Sequence, residues 1–139
     1  MSQPASNATP HVHLSRLLHV VLLAAATAAA WFAWLGWDHE YQTDPVTGIA
    51  SGPYEAWQVI GCVLTLIVIG VAAVVLRVQP VVAALTMTLA FTVSWGVTEM
   101  PGDDTGMSGV GAIMVFIGVG LASALWFGLA AAIRSGRRA

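Results

Sequence analysis

Four long apolar segments, separated by short polar stretches, constrain the fold of this 139-residue chain more than any other feature. Each segment has between 19 and 26 residues, close to or above the ~20 that an α-helix needs to cross the ~30 Å hydrocarbon core of a bilayer. Only 9% of the residues are charged, whereas soluble domains carry roughly 25%. Because backbone polar groups inside lipid must be satisfied internally, the sequence predicts an all-α integral membrane protein, a four-helix bundle with antiparallel, up-down topology.

The predicted spans cover residues 14–37, 54–76, 81–99 and 108–133, between a disordered cytoplasmic tail at 1–13 and a basic cytoplasmic tail at 134–139. Ser51 followed by Pro53 predicts an N-cap and first turn before the second span, and Pro80 predicts the start of the third. An Ala-x-Ala sequence ending at Ala30 resembles a signal-peptide cleavage site. The apolar run continues past it to Trp37, however, which favours a retained first span.

Basic and acidic residues separate cleanly if the chain crosses the membrane four times. The five basic residues are Arg16, Arg77, Arg134, Arg137 and Arg138, and the seven acidic residues are Asp38, Glu40, Asp44, Glu55, Glu99, Asp103 and Asp104. All the arginines would lie on one side and all the acids on the other. By the positive-inside rule both termini are predicted to be cytoplasmic, with the larger loops external. The Ala/Gly/Val-rich, lysine-free composition suggests a bacterial cytoplasmic membrane.

Two polar stripes on neighbouring spans are the candidates for a polar pathway. One helical face of the second span carries Glu55, Gln58, Cys62 and Thr65, and one face of the third carries Thr88, Thr92, Trp95 and Glu99. A tight turn joins these spans, so we predict a hairpin, an arrangement that allows the two stripes to face each other. The stripes then form either a cation path with Glu55 and Glu99 at its external mouth, or ordinary interhelical hydrogen bonds. The second interpretation is favoured.

Residues 31–44 combine tryptophans with acids at the external end of the first span. An interfacial aromatic belt is predicted from Trp31, Trp34 and Trp37, together with Tyr54 and Trp57 of the second span. The alternative is that Trp34, Trp37 and Tyr41 form a docking patch for a partner. The metal-ligand candidates on this side are Asp38, His39, Glu40, Asp44, Asp103 and Asp104. Oxygen donors suit a divalent cation, but the spacing matches no EF-hand or HExxH motif. We therefore predict no cofactor, and an external divalent cation is the one ion left open.

Helix association is the remaining signal. Small residues recur every four positions in the fourth span, at Gly120, Ala124, Gly128 and Ala132, a pattern that allows close helix approach. This stripe fits an internal seam and an oligomer interface equally well. The bilayer and either itself or another membrane protein are the predicted partners, and the scattered arginines do not indicate nucleic acid. We predict a non-enzymatic tetraspan that acts by assembly, as a homo-oligomer or accessory subunit; the alternative is a small oligomeric cation channel or transporter.

Overall fold

The protein is described over residues 10–137 by a computed structural model, with side chains from residue 12 onward. Its elements are α1 (Pro10–Trp34), β1 (Gln42–Thr43), β2 (Ala50–Ser51), α2 (Ala56–Val75), α3 (Pro80–Glu99), a short 3₁₀ turn (Met100–Gly102) and α4 (Ser108–Gly136). All four α-helices are long and apolar enough to cross a membrane, which confirms the prediction of four such helices. Residues 1–9 and 138–139, which belong to the two predicted tails and include Arg138, lie outside the described residues.

The boundaries of α1 differ from those predicted. The helix begins at Pro10, four residues before the apolar run, because proline is favoured in a first helical turn and polar residues can extend a helix beyond the lipid-spanning part. It ends at Trp34 rather than at residue 37. The backbone N–H groups of Leu35 and Gly36 both donate to the carbonyl of Trp31, at 2.8 and 2.9 Å, and this closes the helix.

The starts of α2 and α3 are set by different residues. The predicted cap at Ser51 is wrong, because Ser51 belongs to β2 and Glu55 is the N-cap of α2. The Gln58 side chain accepts a hydrogen bond from the Glu55 backbone N–H at 2.6 Å, so the first turn is fixed there. Pro80 begins α3 as predicted, and α4 extends to Gly136, into the predicted basic tail.

A small antiparallel hairpin forms in the connection between α1 and α2, where only a loop was predicted. The Asp44 carboxylate accepts hydrogen bonds from the backbone N–H groups of Val46 and Thr47, at 2.7 and 3.1 Å. Gly48 follows with a φ of +67°, a conformation that glycine adopts without strain. Asp44 and Gly48 thus form the turn of the hairpin, and its strands of two residues are too short to leave a period-2 pattern in the sequence.

Helix α3 packs most extensively against α4 and α1, and α2 packs mainly against α1. The predicted tight packing of α2 on α3 is therefore wrong. The reason lies in α1, where Trp34 packs on Gly61 of α2 and Trp31 packs edge-on against Phe91 of α3, with ring centroids 5.3 Å apart. These two tryptophans place α1 in contact with both α2 and α3.

The turn from α2 to α3 is a Schellman motif. The N–H of Val78 donates to the carbonyl of Ala73 at 3.0 Å, and that of Arg77 donates to Val74 at 3.2 Å. Arg77 itself has a φ of 57°, in the left-handed region that glycine usually occupies at this position. The guanidinium of Arg134, near the end of α4, also donates to the Val74 carbonyl. One α2 carbonyl is thus held by the turn and by α4.

The acidic residues all lie in or beside the α1–α2 and α3–α4 connections, at what we call the acidic end of the bundle. The α2–α3 turn and the last turns of α4 form the arginine end, with Arg77, Arg134 and Arg137. Each end has its own core cluster. The cluster toward the acidic end contains Trp31, Leu35, Cys62 and Phe91, and that toward the arginine end contains Leu23, Ala73, Ala83, Met87 and Phe127.

Candidate functional site

Gln58 joins the start of α2 to the end of α1 and is almost completely buried, with 1% of its surface exposed. Its side-chain Nε2 donates to Asp38 Oδ2 at 2.8 Å, while its Oε1 accepts from the Glu55 N–H at 2.6 Å. The two partners fix the orientation of the amide, because a carboxylate can only accept and an N–H can only donate. Both ends of this predicted pore residue are therefore engaged in contacts between and within helices.

The predicted mouth residues Glu55 and Glu99 are hydrogen-bonded to aromatic side chains. The Tyr54 hydroxyl donates to Glu99 Oε1 at 2.6 Å, and its ring packs edge-on against Trp31 with centroids 5.9 Å apart. Burial, and then the hydrogen bond to Glu99, raise the pKa of Tyr54 above its ordinary value, so its hydroxyl remains a donor. Glu55 accepts a hydrogen bond from the indole N–H of Trp57. The sequence identified Glu99 but not its partner.

Two tryptophans of α1 point into the bundle and form hydrogen bonds with threonines of other helices. Trp31 is 2% exposed and donates from Nε1 to Thr98 Oγ1 at 3.2 Å, which links α1 to α3. Trp34 donates to Thr65 Oγ1 at 3.0 Å, which links α1 to α2. Its ring lies where a Cβ on Gly61 would be only 2.5 Å away. For both residues the interhelical role replaces the predicted position in an aromatic belt.

A second group of apolar side chains is exposed at the acidic end. Trp37 and Tyr41 are exposed, as a docking patch requires, whereas Trp34 is not part of this surface. The hairpin adds Val46 and Ile49, of which Val46 is 91% exposed. The sequence did not single out these two residues, because isolated apolar residues in a polar loop carry no periodic signal.

The two predicted polar stripes face different neighbours. Gln58 and Thr65 of α2 form hydrogen bonds with the end of α1, as described above. Trp95 of α3 packs instead against α4, where a Cβ on Gly111 would lie 2.6 Å from its ring, and Thr88 lies beside α4 as well. The hairpin therefore does not bring the two stripes face to face, since α2 packs mainly against α1 and α3 packs mainly against α4 and α1.

The hydroxyl groups of α3 mostly bond to their own helix. Thr88 and Ser94 each donate to the carbonyl four residues earlier, at 2.7 Å. Thr92 differs: within the described part of the chain its buried hydroxyl oxygen has no hydrogen-bond partner. The bonds of Thr88 and Ser94 agree with the ordinary reading of polar residues in spans, in which such groups satisfy one another or the backbone.

The carboxylates of the acidic end act as turn acceptors. Hydrogen bonds from the Thr105 hydroxyl and from Ser108 hold the pKa of Asp103 well below its usual range. Backbone N–H groups lower the pKa of Asp44 in the same way. Among residues 10–137, no three His, Cys, Asp or Glu side chains are arranged to hold a metal ion. The predicted metal candidates Asp38, His39, Glu40, Asp44, Asp103 and Asp104 are thus not brought together.

The small-residue stripe of α4 lies largely on the outside of the bundle. A Cβ on Gly120 would contact Thr88 of α3 at 3.5 Å, so the stripe touches the bundle at this level. Ala124, Gly128 and Ala132 are exposed, and a Cβ on Gly128 would meet nothing within 4 Å. The residues that α4 buries are Ser123 and Phe127, which lie on the neighbouring face of the helix, each one position before a residue of the stripe.

An apolar groove of about 380 Å³ lies between α2 and α4, above a floor made by α1 and α3. Met87 and Phe91 contribute to the floor. Toward the arginine end α2 and α4 meet where the Trp126 indole packs on Gly70, with Nε1 2.8 Å from the position of a Cβ. No sequence pattern predicted this groove, because the groove depends on which glycine each tryptophan contacts.

No protein-family model, no curated protein and no solved structure matches this chain. Its function must therefore be inferred from its own geometry. That geometry provides interhelical hydrogen bonds at the acidic end, an uncovered small-residue face on α4 and an apolar groove beside α2.

Proposed function

We propose that this protein is a non-enzymatic tetraspan of a bacterial cytoplasmic membrane that acts by assembly, with copies of itself or with a larger membrane complex. Four apolar helices agree with a small membrane protein. Polar side chains that are capable of chemistry form hydrogen bonds within the fold instead, as Gln58 does with Asp38 and Tyr54 does with Glu99. The surface features of the protein therefore fit association in the bilayer better than they fit a chemical reaction.

The proposed orientation places both termini in the cytoplasm, with the helices in up-down, antiparallel order. The support is the separation of charge: Arg77, Arg134 and Arg137 lie at one end, and the acidic residues lie in the connections at the other. Membrane proteins retain arginine-rich ends on the cytoplasmic side. A cysteine placed in the hairpin should then react with an impermeant thiol reagent from outside intact cells, and one placed after Arg134 should not.

The uncovered face of α4 is the observation that carries the assembly proposal. In lipid, helices associate through close packing of small residues, since there is no hydrophobic driving force between them. Ala124, Gly128 and Ala132 offer such a surface to the bilayer, while Gly120 of the same stripe contacts α3. Trp37 and Tyr41 of the exposed acidic-end patch would contribute to contacts outside the membrane.

The test compares two identical substitutions in α4. Copies carrying donor or acceptor fluorescent proteins are reconstituted into liposomes, and energy transfer is measured as the protein-to-lipid ratio falls. Gly128→Leu should shift the midpoint of association by about tenfold, equivalent to ~1.4 kcal/mol. Gly118→Leu, in the same helix but on the side facing the groove, should leave it unchanged. Concentration-independent energy transfer at the background level, or equal effects of both variants, would contradict the α4 interface.

The cation channel or transporter is the second candidate, and its support is the acidic character of one end. It requires Glu55 and Glu99 to leave their present partners, Trp57 and Tyr54. Ion flux into liposomes tests it directly: a channel with this mouth should lose its flux in Glu99→Gln, whereas unchanged flux would remove Glu99 from any pathway.

A further inference from the structure

The groove between α2 and α4 is open along one side. On α2 its wall is formed by Val59, Val63 and Ile67, each more than 40% exposed, and on α4 by the exposed residues Gly118 and Ala122. All five lie within helical segments apolar enough to span a membrane. The open side of the groove therefore faces the hydrocarbon of the bilayer, and what enters it comes from lipid.

The dimensions of the groove match one lipid chain. Along α2 it extends from Val59 to Ile67, which is about 12 Å at ~1.5 Å per residue. Half of a ~30 Å hydrocarbon core is about 15 Å. The groove begins one turn inside the acidic end of α2 and ends where Trp126 packs on Gly70. It thus spans most of a single leaflet, the one on the acidic side.

The lining of the groove suits an apolar occupant. Among the side chains described, residues 12–137, no charged one lines it, and its polar lining is limited to Thr27, Cys62 and Ser123. The hydroxyl of Thr27 is already bonded to the carbonyl of Leu23 at 2.8 Å. A hydrated ion would find almost nothing to replace its water. An apolar chain would gain dispersion contacts with Met87 and Phe91 on the floor, contacts that an unfilled groove would lack.

The charge at the acidic end of the groove determines which lipid head group would fit there. Leu35 and Val59, which line its acidic end, are bonded through their backbones to Asp38 and Glu55, at 3.3 and 3.2 Å. The sequence has no arginine or lysine in the two connections at this end, residues 35–55 and 100–107. An anionic head group would therefore meet like charge there, and a head group bearing an amine would meet opposite charge.

We propose that this groove binds one acyl chain of a membrane lipid whose head group carries an amine, with the amine placed beside Asp38 and Glu55. The site is separate from the α4 association face, because the groove and the stripe of Ala124, Gly128 and Ala132 lie on different sides of α4. Lipid binding and assembly can therefore fail independently.

The test uses the protein in nanodiscs that contain phospholipid brominated near the end of one chain. Bromine quenches nearby indoles, and the Trp126 contribution is obtained as the difference between the protein and its Trp126→Phe variant. An ethanolamine-headed lipid should quench Trp126 at a mole fraction about fivefold lower than a glycerol-headed lipid with the same chains. Glu55→Gln should reduce this preference, and Glu40→Gln, in the hairpin connection, should not.

Gly118→Leu and Gly128→Leu form the matched pair. A Cβ at either position meets nothing within 4 Å, so both variants are expected to fold, and only Gly118 lines the groove. Gly118→Leu should abolish the selective quenching while Gly128→Leu preserves it. Quenching that simply follows mole fraction with no head-group preference would indicate ordinary boundary lipid and overturn the proposal. A preference for the glycerol head group, or stronger quenching by bromines near the carbonyl, would overturn it too.

Discussion

The substitution Gln58→Leu distinguishes a structural joint from a pore lining. Leucine has nearly the volume of glutamine, so the substitution preserves packing while removing both hydrogen bonds of the amide. The Asp38 carboxylate would lose a bond from Nε2, and the Glu55 N–H would lose its acceptor. A hydrogen bond to a charged group is worth roughly 1.5–3 kcal/mol and a neutral one roughly 0.5–1.5 kcal/mol.

The expected loss in the free energy of unfolding is about 2–3 kcal/mol, toward the lower part of the summed range. Asp38 is only half-buried, so water can partly replace its lost partner. Asp38→Asn retains an acceptor oxygen and removes the charge, so it should cost about 1 kcal/mol. In a double-mutant cycle, Gln58→Leu and Asp38→Ala should show a coupling of about 1–2 kcal/mol.

Unfolding in mixed micelles of increasing SDS fraction, followed by circular dichroism, measures these differences. Ion flux in liposomes is measured on the same preparations, because a pore residue would affect flux before stability. The reasoning would be refuted by a Gln58→Leu protein whose unfolding free energy lies within about 0.5 kcal/mol of the parent, the range typical of surface changes. A coupling near zero would show that Gln58 and Asp38 do not interact.

Three further substitutions test other contacts. Gly61→Val should destabilise the protein by about 1–3 kcal/mol in the same SDS titration, because its Cβ would lie 2.5 Å from the Trp34 ring and the ring must move. Gly109→Val is the control, since a Cβ at that position meets nothing within 4 Å. Arg77→Gly should be about 1 kcal/mol more stable than Arg77→Ala, because only glycine adopts a φ of 57° without strain, and equal stabilities would contradict this. Because the pKa of Tyr54 is raised, the folded protein keeps a proton there that the unfolded chain releases above pH ~10. The contribution of Tyr54 to the free energy of unfolding is therefore fully present below pH ~10 and is lost as the pH rises further. Tyr54→Phe should reduce this loss of stability in thermal scans between pH 9 and 11, where no lysine contributes because the chain has none. If the variant loses stability with pH as steeply as the parent, Tyr54 is excluded as the source.

The sequence predicted the features that the bilayer imposes. A span needs about 20 apolar residues whatever its neighbours are, so four helices could be identified without any knowledge of packing. Proline at the start of α3 acts locally in the same way, and Pro80 was placed correctly. The cap of α2 was not, because the bonds of Gln58 to Glu55 outcompete the Ser51 signal, and one of the partners of Gln58 is on another segment.

The order of helix packing could not be predicted, because it depends on pairs of residues far apart in sequence. Glycines in membrane spans indicate close approach of two backbones. In this protein several of them accommodate an indole ring from a neighbouring helix. The pairs are Gly61 with Trp34, Gly70 with Trp126 and Gly111 with Trp95. Spacing shows where the glycines and tryptophans are, but not which glycine a given tryptophan meets. The same pairing left the groove between α2 and α4 open.

Arg134 combines a role in orientation with a role in packing, and substitution can separate the two. Its guanidinium donates to the Val74 carbonyl near the C-terminal end of α2, where the helix dipole also favours a positive charge. Arg134→Leu should lower the free energy of unfolding by about 1–2 kcal/mol, whereas lysine at this position preserves the charge but not the planar fork of donors. If Arg134 serves orientation alone, Arg134→Lys will match the parent in SDS unfolding. If the bond to Val74 matters, the free energy of unfolding of Arg134→Lys will lie between those of the parent and Arg134→Leu. The orientation of a hairpin cysteine should be unchanged in both variants, because the other arginines remain: Arg16, Arg77, Arg137 and Arg138.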